Sequence, residues 1–201
     1  MEKSVERYYQ ELYEVAAVLN SARDPQAVLH AMVACVAKAV GAKGCSLMLL
    51  TPDKKVLLHT AAYGLSDWYV RKGPVSADKS ISESLEGKPI AVLDAAKDER
   101  FQYREQAKKE GIASILSVPM MLREEIIGVI RIYTAEARQF STEDIYFVGA
   151  VAHLGAIALE NARLYEAVKK DYEEFRQDML EWRAALGHEW TVEKSVVPPE
   201  E

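Results

Sequence analysis

The strongest constraint on this chain is an unbroken helical pattern near its C-terminal end. Ser141-Thr142-Glu143-Asp144 reads as a capping box, which satisfies amides that a helix start leaves open, and no breaker follows until Gly187. Gly149 and Gly155 inside the run are expected to permit close packing. A helix from Thr142 to Leu186 would be roughly 65 Å long at 1.5 Å per residue, so its second half is expected to leave the domain. Tyr165, Val168, Tyr172, Phe175, Met179, Trp182 and Leu186 recur in alternating steps of three and four, the spacing of a narrow coiled-coil seam. Val5, Tyr8, Leu12, Val15 and Leu19 repeat that spacing near the N-terminus. Two such seams, with Lys169, Lys170, Glu173, Glu174 and Arg176 beside the second, predict a parallel helical homodimer. A monomer whose first helix folds back on its last is the alternative.

The middle of the chain is of another kind. Asp24-Pro25 supplies a cap and an N1 proline, and Val28, Met32, Cys35, Val36 and Ala39 keep helical spacing until Gly41. Cys35 therefore belongs to an apolar face as a small core residue. Short apolar runs between turn residues follow. Cys45 to Thr51 and Val56 to Tyr63 flank Pro52-Asp53-Lys54-Lys55 as a hairpin, while Ile90 to Asp94, Ser114 to Leu122 and Ile126 to Thr134 read as further strands. Between them lie a polar segment with Trp68 and Tyr69, a short helix ending at Gly87, and a crossover helix from Glu99 to Glu110 closed by Gly111. Long connections carrying small helices over an antiparallel sheet are a usual place for a ligand site.

Composition narrows the function. The chain has 201 residues, 49% apolar and 28% charged, which suits one folded domain with attached segments. Its longest uncharged stretch, Ile145 to Leu159, falls short of the roughly 20 apolar residues of a spanning helix and reads as a buried one. The opening Met-Glu-Lys-Ser-Val-Glu-Arg lacks an apolar export segment, so a cytoplasmic location is expected. A net charge of −6 argues against nucleic acid and anionic membrane as partners. Cys35 and Cys45 form no CxxC, and no HExxH, GxSxG or phosphate-binding glycine loop occurs.

In order along the chain come Cys45-Ser46-Leu47-Met48-Leu49-Leu50, Gly64-Leu65-Ser66, Asp94 with Asp98, Arg100 and Phe101, then Gly111-Ile112-Ala113-Ser114-Ile115-Leu116-Ser117-Val118-Pro119. Ile127-Gly128-Val129-Ile130, Phe140-Ser141-Thr142-Glu143-Asp144 and Ala156-Ile157-Ala158-Leu159-Glu160-Asn161-Ala162-Arg163-Leu164 follow. In this series the sequence resembles the GAF domain family of small-molecule sensor modules, over about residues 20 to 168. The resemblance implies an α+β fold: a central antiparallel sheet of five to six strands, terminal helices on one face, and crossover loops and helices over a pocket on the other.

Alternation along Ile126 to Tyr133 puts Gly128, Ile130 and Ile132 on one side and Val129, Arg131 and Tyr133 on the other. The resemblance implies that the second side faces the pocket, with Arg131 and Tyr133 contributing to ligand recognition. A buried arginine needs a partner, and its planar fork suits carboxylate or phosphate. A pairing of Arg131 with Asp94 or Asp98 is the competing reading. Tyr63, Trp68, Tyr69, Phe101 and Tyr103 are candidate pocket walls, and Ser46 and Ser117 add hydroxyls. Ser46, Ile81 and Ser82 match positions that touch the base in cyclic-nucleotide-binding members, with Ile81-Ser82 opening a short helix over the mouth. Thr134 stands where the nucleotide signature has asparagine, and Arg131 where a nucleotide-binding relative has a carboxylate, which argues against that ligand.

No cofactor is expected. Bilin attachment lacks its cysteine, and His59, the one strand histidine, reads as structural rather than as a haem ligand. Cys45, a single thiol at the strand edge, has no resolving partner for a sulfoxide-reducing cycle. Asp94, Asp98 and Glu99 read as turn and cap residues rather than an acid–base pair. The expected organisation is an N-terminal dimerisation helix over 1–20, a GAF domain over 21–168, a coiled-coil helix over 169–187 and a loose tail over 188–201. The expected function is a non-enzymatic cytoplasmic sensor that binds an unknown small molecule, with an anion as the sharper reading, and signals through its helical dimer to a separate protein. The alternatives are a dimerisation module with a vestigial pocket filled by Trp68, Tyr69 and Phe101, and a GAF-type redox enzyme.

Overall fold

The computed structural model describes residues 2–21, 25–77 and 86–185. Helices α1 (Glu2–Ser21) and α2 (Pro25–Val40) precede strands β1 (Gly44–Leu50) and β2 (Val56–Tyr63). The short helix α3 (Asp67–Val70), β3 (Val75–Ser76), β4 (Ile90–Val92) and α4 (Arg104–Glu110) make up the crossover region. β5 (Ser114–Leu122), β6 (Glu125–Thr134) and α5 (Thr142–Ala185) close the described chain. The six strands form one antiparallel sheet in the order β3-β2-β1-β6-β5-β4. This is the expected α+β architecture, and β3 is the strand that sequence periodicity missed, being two residues long.

The principal core lies between the sheet and the helices. Cys45 and Leu47 of β1, Ala61 of β2, Leu116, Val118 and Met120 of β5, and Ile130 and Ile132 of β6 pack against α1, α2 and the first part of α5. Gly155 allows that approach, because a Cβ there would lie 2.7 Å from Met32 Cε, whereas Gly149 has open space around it and does not serve the expected packing role. The α1 seam is consumed inside the chain. Tyr8 and Val15 are buried, Leu12 packs against them, and the Tyr8 ring stacks on Phe147 of α5 at 4.5 Å. That face of α1 is therefore not available to a second copy, a correction to the two-seam expectation; the side chains of Val5 and Leu19 lie outside the described residues.

The capping box forms as read. Asp144 N–H donates to Ser141 Oγ at 3.1 Å, and Ser141 N–H donates to Asp144 Oδ2 at 2.9 Å. Asp144 also accepts from the Tyr8 hydroxyl and from Arg138 Nη2 at 2.8 Å, while Arg138 Nη1 reaches the Val40 carbonyl at 2.6 Å. One carboxylate thus ties α1, the end of α2 and the start of α5 together.

The chain divides into two units, residues 1–160 and 161–201. In the first, Val148, Val151, Ala152 and Ala156 of α5 are core residues. Within Thr142–Ala184 there is a stretch long and apolar enough to cross a membrane, where the sequence reading expected the apolar run to fall short, and 33% of it is buried inside the chain. In the second unit every side chain from Arg163 to Ala184 is exposed. The tail over 188–201 lies outside the described residues.

The crossover helix is shorter than expected, starting at Arg104 rather than near Glu99. Asp98 Oδ1 takes the Arg100 N–H at 2.9 Å, a local turn that competes with helix, and Phe101 inserts into the second core. Gly111 in the left-handed conformation ends α4 as expected.

Candidate functional site

The sheet face opposite the helices carries most of the candidate residues. Alternation holds along β6: Ile130 and Ile132 enter the helix-side core, whereas Val129 and Tyr133 join the clusters on the other side. Arg131 lies between them with 2% exposure, among the largest fully enclosed side chains. Register pairs Arg131 with Ser46 on β1 and with Ser117 on β5. Arg131 Nε donates to Ser117 Oγ at 3.0 Å, and its guanidinium lies 5.5 Å from the Phe101 ring centre. Ser46 Oγ and Tyr133 Oη share a hydrogen bond of 3.0 Å. Tyr69 of α3 places its ring edge-on to Tyr133 at 5.9 Å, so the polar row on the sheet continues into the covering segment.

Lys72 completes this layer, and sequence reasoning did not select it. Its Nζ sits 3.7 Å from the Tyr69 ring centre, 5.4 Å from that of Tyr103, 3.0 Å from the Tyr69 carbonyl oxygen and 3.3 Å from His59 Nε2. Burial, with the Arg131 charge adding to it and Glu110 opposing, pushes the Lys72 ammonium down to about 7. Burial, then Lys72 and Arg131, pushes His59 down to about 3, so its ring is neutral. Burial holds the Tyr69 and Tyr133 hydroxyls up in their neutral forms. Glu110, at the end of α4, accepts from Ser66 N–H at 2.8 Å and from the Ser66 hydroxyl, which anchors the segment bearing Tyr69 and Lys72. Tyr103 anchors its far end by donating to the Pro74 carbonyl at 2.8 Å.

Two buried polar atoms here have no partner among the described residues: His59 Nδ1 and the Tyr69 hydroxyl. While Lys72 is protonated its Nζ donates to Nε2, which puts the proton of the neutral His59 on Nδ1, and Nδ1 and the Tyr69 hydroxyl can then both donate. The face is rich in donors and in positive charge, which matches an acceptor-rich occupant.

The other expected residues divide. Tyr63 lies on the opposite face, with Lys38 of α2 5.9 Å from its ring centre, and so does not belong to the site. An irregularity in the β1–β2 register pairs Met48 with His59 but Leu47 with Ala61. The extra residue, Thr60, turns Ala61 and Tyr63 to the helix side, a reversal that simple alternation misses. Trp68 is half-exposed and packs its edge against Tyr69. Ile81 and Ser82 lie outside the described residues. Asp94 pairs with Lys97 at 3.0 Å and caps Ala96 N–H, and Asp98 pairs with Arg100 at 2.6 Å, so both do turn work. Cys45 is not at an edge: it is fully enclosed on the helix side of an interior strand, and burial pushes its thiol up. Cys35 is pushed up to about 12 by burial and by Glu11, to whose carboxylate it donates at 2.9 Å. Neither thiol stands on the site face in a reactive state.

A sequence profile of the GAF domain family matches residues 22–160. The chain belongs to the GAF domain family. A methyl sulfide methyltransferase-associated sensor of Methanosarcina acetivorans is 28% identical over 139 residues, which are 66% of this chain and 14% of the relative. This GAF domain thus spans about a seventh of that relative's length. Among solved structures, the GAF domain of a phosphoenolpyruvate-protein phosphotransferase from Coxiella burnetii superposes with a TM-score of 0.72 at 21% identity, covering 81% of this chain and 98% of that one. The free methionine-R-sulfoxide reductase of Neisseria meningitidis, in complex with its substrate, superposes with a TM-score of 0.66 at 18% identity, covering 79% and 91%. At these identities the two structures share the GAF fold with this chain.

Proposed function

We propose that this GAF domain is a non-enzymatic cytoplasmic sensor of a small anion, held on the sheet face that carries Arg131. The observation that supports the anion is the donor-rich, positively charged layer formed by Arg131, Lys72, His59, Tyr69 and Ser117. The sensor relative supports the signalling role, and the enclosed thiols argue against sulfoxide chemistry. Native mass spectrometry of the purified chain, followed by thermal-shift screening of anions, amino acids and nucleotides, tests the reading. An anion should raise the melting temperature by mass action, and Arg131→Ala should abolish the shift. No shift by any anion would leave a vestigial pocket, filled by Tyr69 and Phe101, as the better account.

Output is proposed to run through a parallel homodimer of the helix beyond Asn161, contacting a separate signalling protein. Tyr165, Val168, Tyr172, Phe175, Met179 and Trp182 keep coiled-coil spacing and are 46–69% exposed in the single chain. A row of this kind in water calls for a partner surface, and a second copy offers the matching seam. Sedimentation equilibrium at tens of micromolar should return a dimer mass, and Tyr172→Glu with Phe175→Glu should return a monomer. A monomer mass for the unmodified chain removes the dimer.

A further inference from the structure

Lys72 stands at the solvent side of the polar layer. Lys72, His59 and Tyr103 are each partly exposed, whereas Arg131, Tyr69 and Tyr133 are enclosed. Among the described residues no carboxylate pairs with Lys72, and Glu110, the carboxylate whose charge acts on it, is bonded to Ser66. Its Nζ meets neutral acceptors instead, the Tyr69 carbonyl oxygen at 3.0 Å and His59 Nε2 at 3.3 Å, between the rings of Tyr69 and Tyr103. An ammonium half-buried without an anion is costly, so these surroundings favour the neutral amine. A neutral amine has two N–H groups and one lone pair. The Tyr69 carbonyl can only accept, and His59 Nε2 accepts in the tautomer that carries its proton on Nδ1. Both N–H groups are then engaged, and the lone pair is left as a nucleophile that water-borne reagents can reach.

We propose that Lys72 is a modification site at which Nζ takes up dissolved carbon dioxide as a carbamate. The nitrogen lone pair forms the N–C bond, one C=O electron pair moves onto oxygen, and one amine proton leaves to water; nothing is oxidised or reduced. The adduct extends a side chain that is already partly exposed, so it requires no enclosed volume. It replaces a cation by an anion next to two residues, His59 and Tyr69, whose Nδ1 and hydroxyl lack partners among the described residues. This goes beyond the anion reading and needs no ligand on Arg131. The titratable and charged groups facing Lys72 are His59 from β2, Arg131 from β6, Tyr69 from α3, and Tyr103 and Glu110 from the two ends of α4. His59 is held too low, and Tyr69 too high, to change charge near neutrality. Burial, then the Arg131 charge, with Glu110 opposing, holds Lys72 at about 7, so the reactive amine appears as pH rises through that value. An ordinary lysine, near about 10.4, has less than about a thousandth of its amine free at the same pH.

The test equilibrates the full chain with ¹³C-labelled carbon dioxide, fixes any carbamate by O-alkylation with a trialkyloxonium salt, and maps the label by peptide mass spectrometry. At about pH 7.5 Lys72 should carry at least about tenfold more label than the exposed Lys170. At fixed dissolved carbon dioxide, occupancy of Lys72 should rise through about pH 7, and in urea-unfolded chain the preference should vanish. Lys72→Arg should remove the ¹³C carbamate resonance of the folded chain and the rise in melting temperature that carbon dioxide gives at constant pH. Because the ratio of Lys72 to Lys170 is read within the unmodified chain, the result does not depend on the variant folding. Equal label on the two lysines, or none on Lys72 between about pH 6 and 8.5, overturns the proposal. The anion reading is judged separately, by the thermal shift that anions give without carbon dioxide.

Discussion

Replacing Asp144 with alanine should cost about 3 kcal/mol of unfolding free energy, measured by urea denaturation. Asp144 holds the N3 half of the capping box, and losing its bond to Ser141 N–H should cost less than the about 1 kcal/mol of losing the N-cap Ser141 itself. Removing one partner of a fully buried ion pair costs about 3–5 kcal/mol, a figure to be discounted here because the Arg138 side chain is 34% exposed. Asp144→Ala would also strip the Tyr8 hydroxyl of its acceptor and the Ser141 amide of its cap. The same residue sets an acid limb. Burial pushes the Asp144 carboxyl up, but the bonds from Tyr8 and Ser141 and the charge of Arg138 outweigh it and hold the group below its ordinary value. A carboxyl lowered on folding contributes stability above its unfolded pKa of about 4 and loses it as pH falls through the folded value. Asp144→Asn should therefore lie below the unmodified protein at neutral pH and converge with it in acid. A gap that stays constant down to about pH 2 would show that ionised Asp144 is not the stabilising species.

The second large effect is expected at Gly128. A Cβ there would stand 2.3 Å from the Met48 carbonyl oxygen and 3.1 Å from Leu49 Cα, both backbone atoms of the paired strand. No rotamer change relieves such a contact, so β1 and β6 must separate. Overpacking costs about 1–3 kcal/mol where side chains can adjust and more where they cannot, so Gly128→Val should cost more than about 3 kcal/mol. The displaced pair is the one that sets Ser46 opposite Arg131, so thermal stabilisation by anions should be lost as well. Gly149→Ala is the control: a Cβ there meets nothing within 4 Å, and exchanging a mid-helix glycine for alanine should gain about 0.5–1 kcal/mol. A Gly128→Val protein as stable as the unmodified one would mean that the two strands part freely at this position.

Much of this fold was legible because its signals are local. The strands Val56–Tyr63 and Ser114–Leu122 have the limits that their apolar runs and turn residues indicated, and Ser141 with Asp144 closed the capping box. Alternation along β6 assigned Arg131 and Tyr133 to one face correctly, since nothing interrupts the pleat there. The misreadings share a cause. The irregularity at Thr60 sent Tyr63 to the helix side, and the Asp98 turn delayed α4 to Arg104. Each is a residue whose conformation answers to neighbours rather than to spacing. Lys72 was passed over because a lysine in a polar loop reads as solvated, and only its burial beside Tyr69, Tyr103 and His59 gives it chemical meaning.

By itself the sequence determined the α+β class, the five longer strands, the capped final helix and the family, all carried by periodicity, turn chemistry and ordered motifs. Tertiary structure decided which apolar stripes are spent within the chain, as that of α1 is, and which remain exposed, as on α5 beyond Asn161. It also decided the membership of the site. Charge and hydrogen-bonding capacity acquire a role only when burial removes water, and burial depends on which segments the fold lays over the sheet.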